Sequence, residues 1–140
     1  MVEDNKWLIG IDIDGTLVHD DGYLSENVLA QINRVRDLGH HVFVATGRAA
    51  SNAYPVIKQL GIDTGHAVCS NGAVTIKLDG AHPKGFSIHD IKTFDPADVL
   101  ARLIDTVPNA HFAVEDLDGG YRFNKPFPSY ALGDQNVETP

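Results

Sequence analysis

The apolar positions of this chain fall in short blocks separated by polar, glycine-bearing joints. The first block, Trp7-Leu8-Ile9-Gly10-Ile11, reads as a buried strand, because a short apolar run bounded by turn residues is too brief for a buried helix. After a polar stretch between Val18 and Leu24, Val28, Leu29, Ile32, Val35 and Leu38 recur with a helical period. Ser25 stands where an N-cap belongs and Gly39 where the helix ends. His41 to Ala45 is a second apolar strand. A helix is predicted over Ser51 to Leu60, with Pro55 near its first turn, where a missing N–H costs least, and Gly61 closing it. Ala67-Val68-Cys69 is a third strand. The order β-α-β-α-β implies an α/β fold, a Rossmann-like parallel sheet with right-handed crossovers.

Beyond the third strand the period changes. Ala73 to Leu78 alternates and predicts a strand, Asp79-Gly80 is a hairpin turn signal, and Gly85 to Thr93 supplies a partner strand. Asp95-Pro96 predicts an N-cap followed by proline at the first helical position, and Val99, Leu100, Leu103, Ile104 and Val107 form that helix's apolar face. His111 to Glu115 reads as a strand, Asp118-Gly119-Gly120 as a turn and Tyr121-Arg122-Phe123 as the return. From Asn124 to Pro140 the pattern fades. A boundary between two parts is expected near Leu78 to Ala81.

Candidate chemistry sits at the strand ends. The first strand runs into Asp12-Ile13-Asp14-Gly15-Thr16, and carboxylates at i and i+2 face the same side of an extended backbone. Asp12 could attack phosphorus, splitting one transfer into two easier ones. Asp14 could protonate the leaving oxygen and then take a proton from water. Two close carboxylates repel, so a cation must offset them, and Mg²⁺ suits one or two carboxylates completed by water and phosphate. The plainer reading is a polar turn after a strand, where aspartate and glycine are common.

Two further strand ends favour the chemical reading. The second strand ends at Thr46-Gly47-Arg48 just before a helix, offering a hydroxyl, backbone N–H groups and a helix N-terminus to an anion. The third ends at Ser70-Asn71-Gly72. In an open α/β sheet such ends share one crevice. Arg48 admits two readings, a contact with substrate or an ion pair with an acidic neighbour.

Composition narrows the field. A hydrophobic fraction of 43% over 140 residues supports a folded core. The net charge of −8 argues against non-specific nucleic-acid binding, and it means that any phosphate ligand must be drawn by local groups. The single cysteine, Cys69, rules out an internal disulfide and suits a reducing compartment, and its place in an apolar strand makes it an inert buried thiol. No apolar stretch approaches a membrane span and the N-terminus lacks a signal-peptide layout, so the cytoplasm is expected. The seven histidines show no ligand spacing and read as solvated or structural.

Taken together, the three strand ends resemble the motifs of the haloacid dehalogenase superfamily, and within it those of the Cof-type phosphatases. The resemblance is good over residues 7 to 78 and weaker beyond. It implies a haloacid dehalogenase-like core over residues 1–78 and the start of an α+β cap domain over 79–140. It also implies a Mg²⁺-dependent phosphatase acting on a small phosphorylated metabolite through an aspartyl-phosphate. Asp12 would be nucleophile and metal ligand. Asp14 would be acid/base and lend its carbonyl to the metal. Thr46, with Gly47, Arg48 and Asn71, would bind the substrate phosphate. The family's third-motif lysine and fourth-motif Gly-Asp follow the cap. Here Gly133-Asp134 only superficially resembles the latter, lacking a preceding apolar strand, and Lys125 lies too close before it, so a cap loop is expected. The chain is therefore expected to be the first half of a longer enzyme, with little activity alone. The alternatives are an inert phosphate- and metal-binding fragment, or a phosphotransferase such as a phosphomutase.

Overall fold

The computed structural model describes residues 5–19, 21–116 and 121–127. The chain divides into two compact units, residues 1–92 and 93–140. In the first, β1 (Leu8–Ile11) pairs in parallel with β2 (His41–Val44), with Leu8 opposite His41 and Ile11 opposite Val44. Helix α1 (Glu26–Asp37) makes the crossover between them. Ser25 caps α1 as expected, its hydroxyl accepting from the Val28 N–H at 3.2 Å, with Glu26 in the first turn and Arg34 and Arg36 in the last, each suited to the helix dipole.

The second crossover is α2 (Ala50–Gln59), which leads to β3 (Thr64–Cys69). A parallel bridge between Ala45 and Val68 joins β3 to the end of β2. The helix starts at Ala50, one residue before the predicted Ser51, so Pro55 is its sixth residue and lies past the first turn. Docking decides that start: Ala49, Ala50 and Ala53 are all buried.

Strand β3 also begins three residues earlier than its apolar run. Thr64, Gly65 and His66 are held by antiparallel pairing to Asp79, Leu78 and Lys77 of β4 (Val74–Asp79). Strand β5 (Phe86–Ile91) continues the antiparallel sheet, with a shift in register at Thr75/Ile76. The division into compact units falls after Lys92, beyond this sheet, and the boundary expected from the sequence, near Leu78 to Ala81, falls within the β4–β5 hairpin. A hairpin turn looks like a boundary in sequence, yet its second strand pairs with the first.

The core of this unit is built from Ile13, Val44, Ile57, Leu60, Cys69 and Ile76, each almost fully buried. Cys69 is an interior thiol, as expected. Tyr54 of α2 packs on Phe86 with ring centroids 5.3 Å apart. Its hydroxyl lies where a side chain at Gly85 would have to begin, and Gly85 itself has φ +76°. Gly85→Ala therefore combines a steric clash with an unfavourable backbone. It is expected to cost more than about 1 kcal/mol. Gly80, which has open space around it, provides the control. Thermal unfolding of the two alanine variants side by side checks this, and equal midpoints would contradict it.

The second unit contains α3 (Ala97–Thr106) and a hairpin of β6 (Ala113–Glu115) with β7 (Tyr121–Phe123). Pro96 occupies the cap position itself, one residue from the expected place, while the Asp95 carboxylate accepts from the Ala97 N–H at 3.0 Å. The Asp118-Gly119-Gly120 turn lies outside the described residues. Past β7, where the sequence pattern fades, the chain is tied down by hydrogen bonds. The Asn124 carboxamide oxygen accepts from the Phe112 N–H at 2.8 Å, and Lys125 Nζ donates to the Pro108 carbonyl at 2.7 Å. Among the described residues, no helix is long and apolar enough to cross a membrane.

Candidate active site

The site forms because three strand ends meet at one edge. The in-register pairing of β1 and β2, with Ile11 opposite Val44, brings Asp12 out level with Ala45, the residue before Thr46, and the Ala45 N–H donates to the Ile11 carbonyl at 2.9 Å. The third strand is then laced to the second. Thr46 N–H donates to the Val68 carbonyl at 2.9 Å, Ser70 N–H to that of Arg48 at 2.8 Å, and Asn71 N–H to that of Thr46 at 3.2 Å.

The two aspartates leave on a tight turn, since β1 ends at Ile11. Alternation survives all the same: Ile13 is fully buried and the aspartates on either side of it are exposed. The Ile13 carbonyl anchors the turn, accepting the N–H groups of Leu17 at 2.9 Å and Val18 at 3.0 Å. Gly15, at φ +69°, makes the reversal possible. The Asp12 carboxylate accepts the Ile13 N–H at 2.7 Å.

Asp14 is held by Arg48. The guanidinium grips both carboxylate oxygens, Nε to Oδ2 at 2.9 Å and Nη2 to Oδ1 at 2.6 Å. That hydrogen bonding holds the Asp14 carboxyl below the usual carboxylate range and pushes the Arg48 guanidinium up, with Asp12 adding to the latter through its charge. The Asp14 side chain is 61% exposed, so the pair contributes little to stability, about 0–1 kcal/mol. Its value lies in orientation.

Thr46 is buried, the sole polar residue in the core among those described, and its hydroxyl oxygen accepts the Arg48 N–H at 3.2 Å. A side chain at Gly47 would lie 3.1 Å from the Asn71 carboxamide oxygen, so Asn71 rests against the bare backbone of Gly47. Helix α2 starts directly behind this loop, with no side chain capping it at Ala49. The structure thus brings Asp12, Asp14, Thr46, Gly47, Arg48 and Asn71 to one edge. Asp134 and Gly133 lie outside the described residues.

Two features escaped the sequence reading. Ser70 and Asn71 are both left-handed, at φ 52° and 54°, a conformation rare for residues other than glycine. The Ser70 hydroxyl is buried with no hydrogen-bond partner in the structure. Only the asparagine carried a signal, since Asn tolerates the left-handed region better than most residues.

A hard cation would find oxygens here. Among the described residues the turn's backbone hydrogen bonds run to the carbonyls of Ile13 and Val18 and bypass that of Asp14, two positions along from the Asp12 carboxylate. Among the described residues no group of three or more His, Cys, Asp or Glu gathers to hold a metal by itself.

A sequence model of the haloacid dehalogenase-like hydrolases matches residues 9–138. The chain belongs to this family. The expected likeness to its Cof-type members holds as well. Over 104 residues the chain is 36% identical to the 5-amino-6-(5-phospho-D-ribitylamino)uracil phosphatase YitU of Bacillus subtilis, covering 74% of this chain and 36% of that protein. It is 32% identical over 65 residues to the pyridoxal phosphate phosphatase YbhA of Escherichia coli, covering 46% of this chain and 24% of the other. The fold superposes on a haloacid dehalogenase-like hydrolase from Bacteroides thetaiotaomicron with a TM-score of 0.67, covering 89% of this chain and 46% of that one. At 17% identity this last likeness speaks for the haloacid dehalogenase fold alone. The chain spans about a quarter to a half of the length of these relatives.

Proposed function

We propose that this chain carries the nucleophile-bearing part of a Mg²⁺-dependent phosphatase that hydrolyses a small phosphorylated metabolite through an aspartyl-phosphate. The observation that carries this reading is the convergence of an exposed Asp12 carboxylate, a clamped Asp14 and the Thr46–Arg48 loop at one sheet edge. The family membership and the phosphatase names of the relatives support it. The reducing cytoplasm suits the single cysteine.

In this reading Asp12 attacks phosphorus and the bond to the ester oxygen breaks. Asp14, in the protonated form that its pairing with Arg48 makes the minor one at neutral pH, gives its proton to the departing alkoxide. It then removes a proton from the water that attacks the Asp12-bound phosphoryl group, releasing phosphate and restoring Asp12. The Gly47 backbone, the Thr46 hydroxyl and the α2 N-terminus offer donors to the phosphoryl oxygens. Mg²⁺ would be held by the Asp12 carboxylate and the Asp14 carbonyl. When bound, it supplies positive charge that offsets the carboxylates and polarises the phosphoryl group. The part that determines the substrate is assigned to the unit from Thr93 onward, as a cap.

The test is chemical trapping in the longest natural form of the protein that carries this chain. With enzyme in excess over a labelled phosphate ester and Mg²⁺ present, an acid quench should capture label on the peptide containing Asp12. Removal of divalent cations by a chelator should abolish both turnover and capture, and added Mg²⁺ should restore them. Turnover without capture of label on that peptide would refute the covalent route.

A further inference from the structure

The geometry points to an assignment that the sequence left open: Arg48 is a positioning residue that aims the Asp14 carboxylate, and is not a ligand of the phosphoryl group. The assignment rests on the proposed acid/base role of Asp14 and deepens it. A group that passes a proton must lie within about 2.6–3.2 Å of the receiving oxygen, so its direction matters as much as its acidity. Asp14 follows a buried isoleucine and precedes a glycine with positive φ, and its side chain is 61% exposed. Left to itself such a carboxylate samples several rotamers. Arg48 removes that freedom by binding both oxygens side-on through Nε and Nη2, which sets the plane of the carboxylate as well as its position.

The arginine is itself anchored at its backbone. Its N–H donates to the Thr46 hydroxyl oxygen at 3.2 Å and its carbonyl accepts from Ser70 N–H at 2.8 Å. The guanidinium therefore hangs from a point braced by two neighbouring strand ends. The side-on fork it would turn toward a phosphate already faces Asp14. A lysine could supply the charge but not the planar fork.

Two measurements decide the matter. The first is steady-state kinetics of Arg48→Lys, Asp14→Asn and the double variant on an alkyl and an aryl phosphate, in the longest natural form of the protein. Arg48→Lys should lower kcat/KM on the alkyl ester by about 10–100-fold, as expected for a misplaced reacting group. For the aryl ester, whose leaving group needs no proton, kcat/KM should be nearly unaffected, while kcat falls with either ester because the water step still needs Asp14 as base. The double variant should be no slower than Asp14→Asn. A rise in KM of equal size for both esters, additive with Asp14→Asn, would overturn the assignment. Should the loss of kcat/KM in Asp14→Asn itself show no dependence on the leaving group, the acid reading of Asp14 falls, whatever Arg48 does. The second measurement needs no turnover: the Arg48 Nε–H resonance in the 140-residue chain. It should move on Asp14→Asn and stay in place when inorganic phosphate and Mg²⁺ are added. Movement on adding phosphate would make Arg48 a phosphate ligand and overturn the proposal.

Discussion

Asp12→Asn is expected to abolish turnover in any active form of this protein, by on the order of 10⁵–10⁶-fold, the scale seen when an enzymic nucleophile is removed. Its near neighbour Asp14 cannot take its place, because that carboxylate is committed to Arg48. The fold should be unaffected. Asp12 is exposed, and its carboxylate is tied to the N–H of the next residue, a bond that an asparagine oxygen can also accept. Unfolding should therefore shift by no more than about 0.5 kcal/mol, as for an ordinary surface substitution. Removing one of two facing negative charges should also leave phosphate binding at least as tight as before. Near-normal turnover with an intact fold would show that the first step does not pass through this residue.

Asp14→Asn is expected to have the second largest effect, and a selective one. An amide cannot give up or take a proton at neutral pH, so the loss should equal the contribution of general acid–base catalysis, about 10²–10⁴-fold. The loss should concentrate on alkyl phosphates, whose leaving oxygen must be protonated. In kcat/KM, which reads only the transfer to Asp12, aryl phosphates should be spared, since their leaving group departs as a stabilised anion; their kcat should still fall, because the water step needs Asp14 as base. A series of esters with graded leaving groups reads this directly as a steeper dependence of kcat/KM on leaving-group acidity in the variant. Parallel lines for the two proteins would count against Asp14 as the acid. Its carbonyl, which the turn's backbone hydrogen bonds bypass among the described residues, is unchanged by the substitution. Metal dependence should therefore persist.

Much of the core unit was legible because its signals are local. Ser25 caps α1 by its own hydroxyl, and the apolar runs at Leu8–Ile11 and His41–Val44 became parallel strands. Repeated strand–helix alternation implies parallel pairing, and parallel pairing puts all the strand ends on one edge. Hence Asp12, Thr46 and Asn71 could be grouped from sequence, though each follows a different strand. The extent of β3 was not legible. Thr64-Gly65-His66 has no apolar pattern, and only the ladder to β4 makes it strand. The segment from Asn124 to Phe127 was equally silent, because its order comes from side-chain hydrogen bonds to residues more than ten positions away.

What the sequence determined by itself is the set of groups and the edge they share: two carboxylates flanking one buried isoleucine, a hydroxyl and a bare glycine before a helix, and a third turn after a buried strand. These follow from periodicity and chain order, which are properties of neighbours. What only the tertiary structure decided is how those groups act on one another. Arg48 follows Asp14 by 34 positions, and nothing local distinguishes a guanidinium aimed at a carboxylate from one aimed at a ligand. The packing of Asn71 against Gly47, the left-handed Ser70-Asn71 pair and the division after Lys92 are of the same kind. Each depends on the distance between elements brought together by sheet pairing, and a one-dimensional pattern carries no information about that distance.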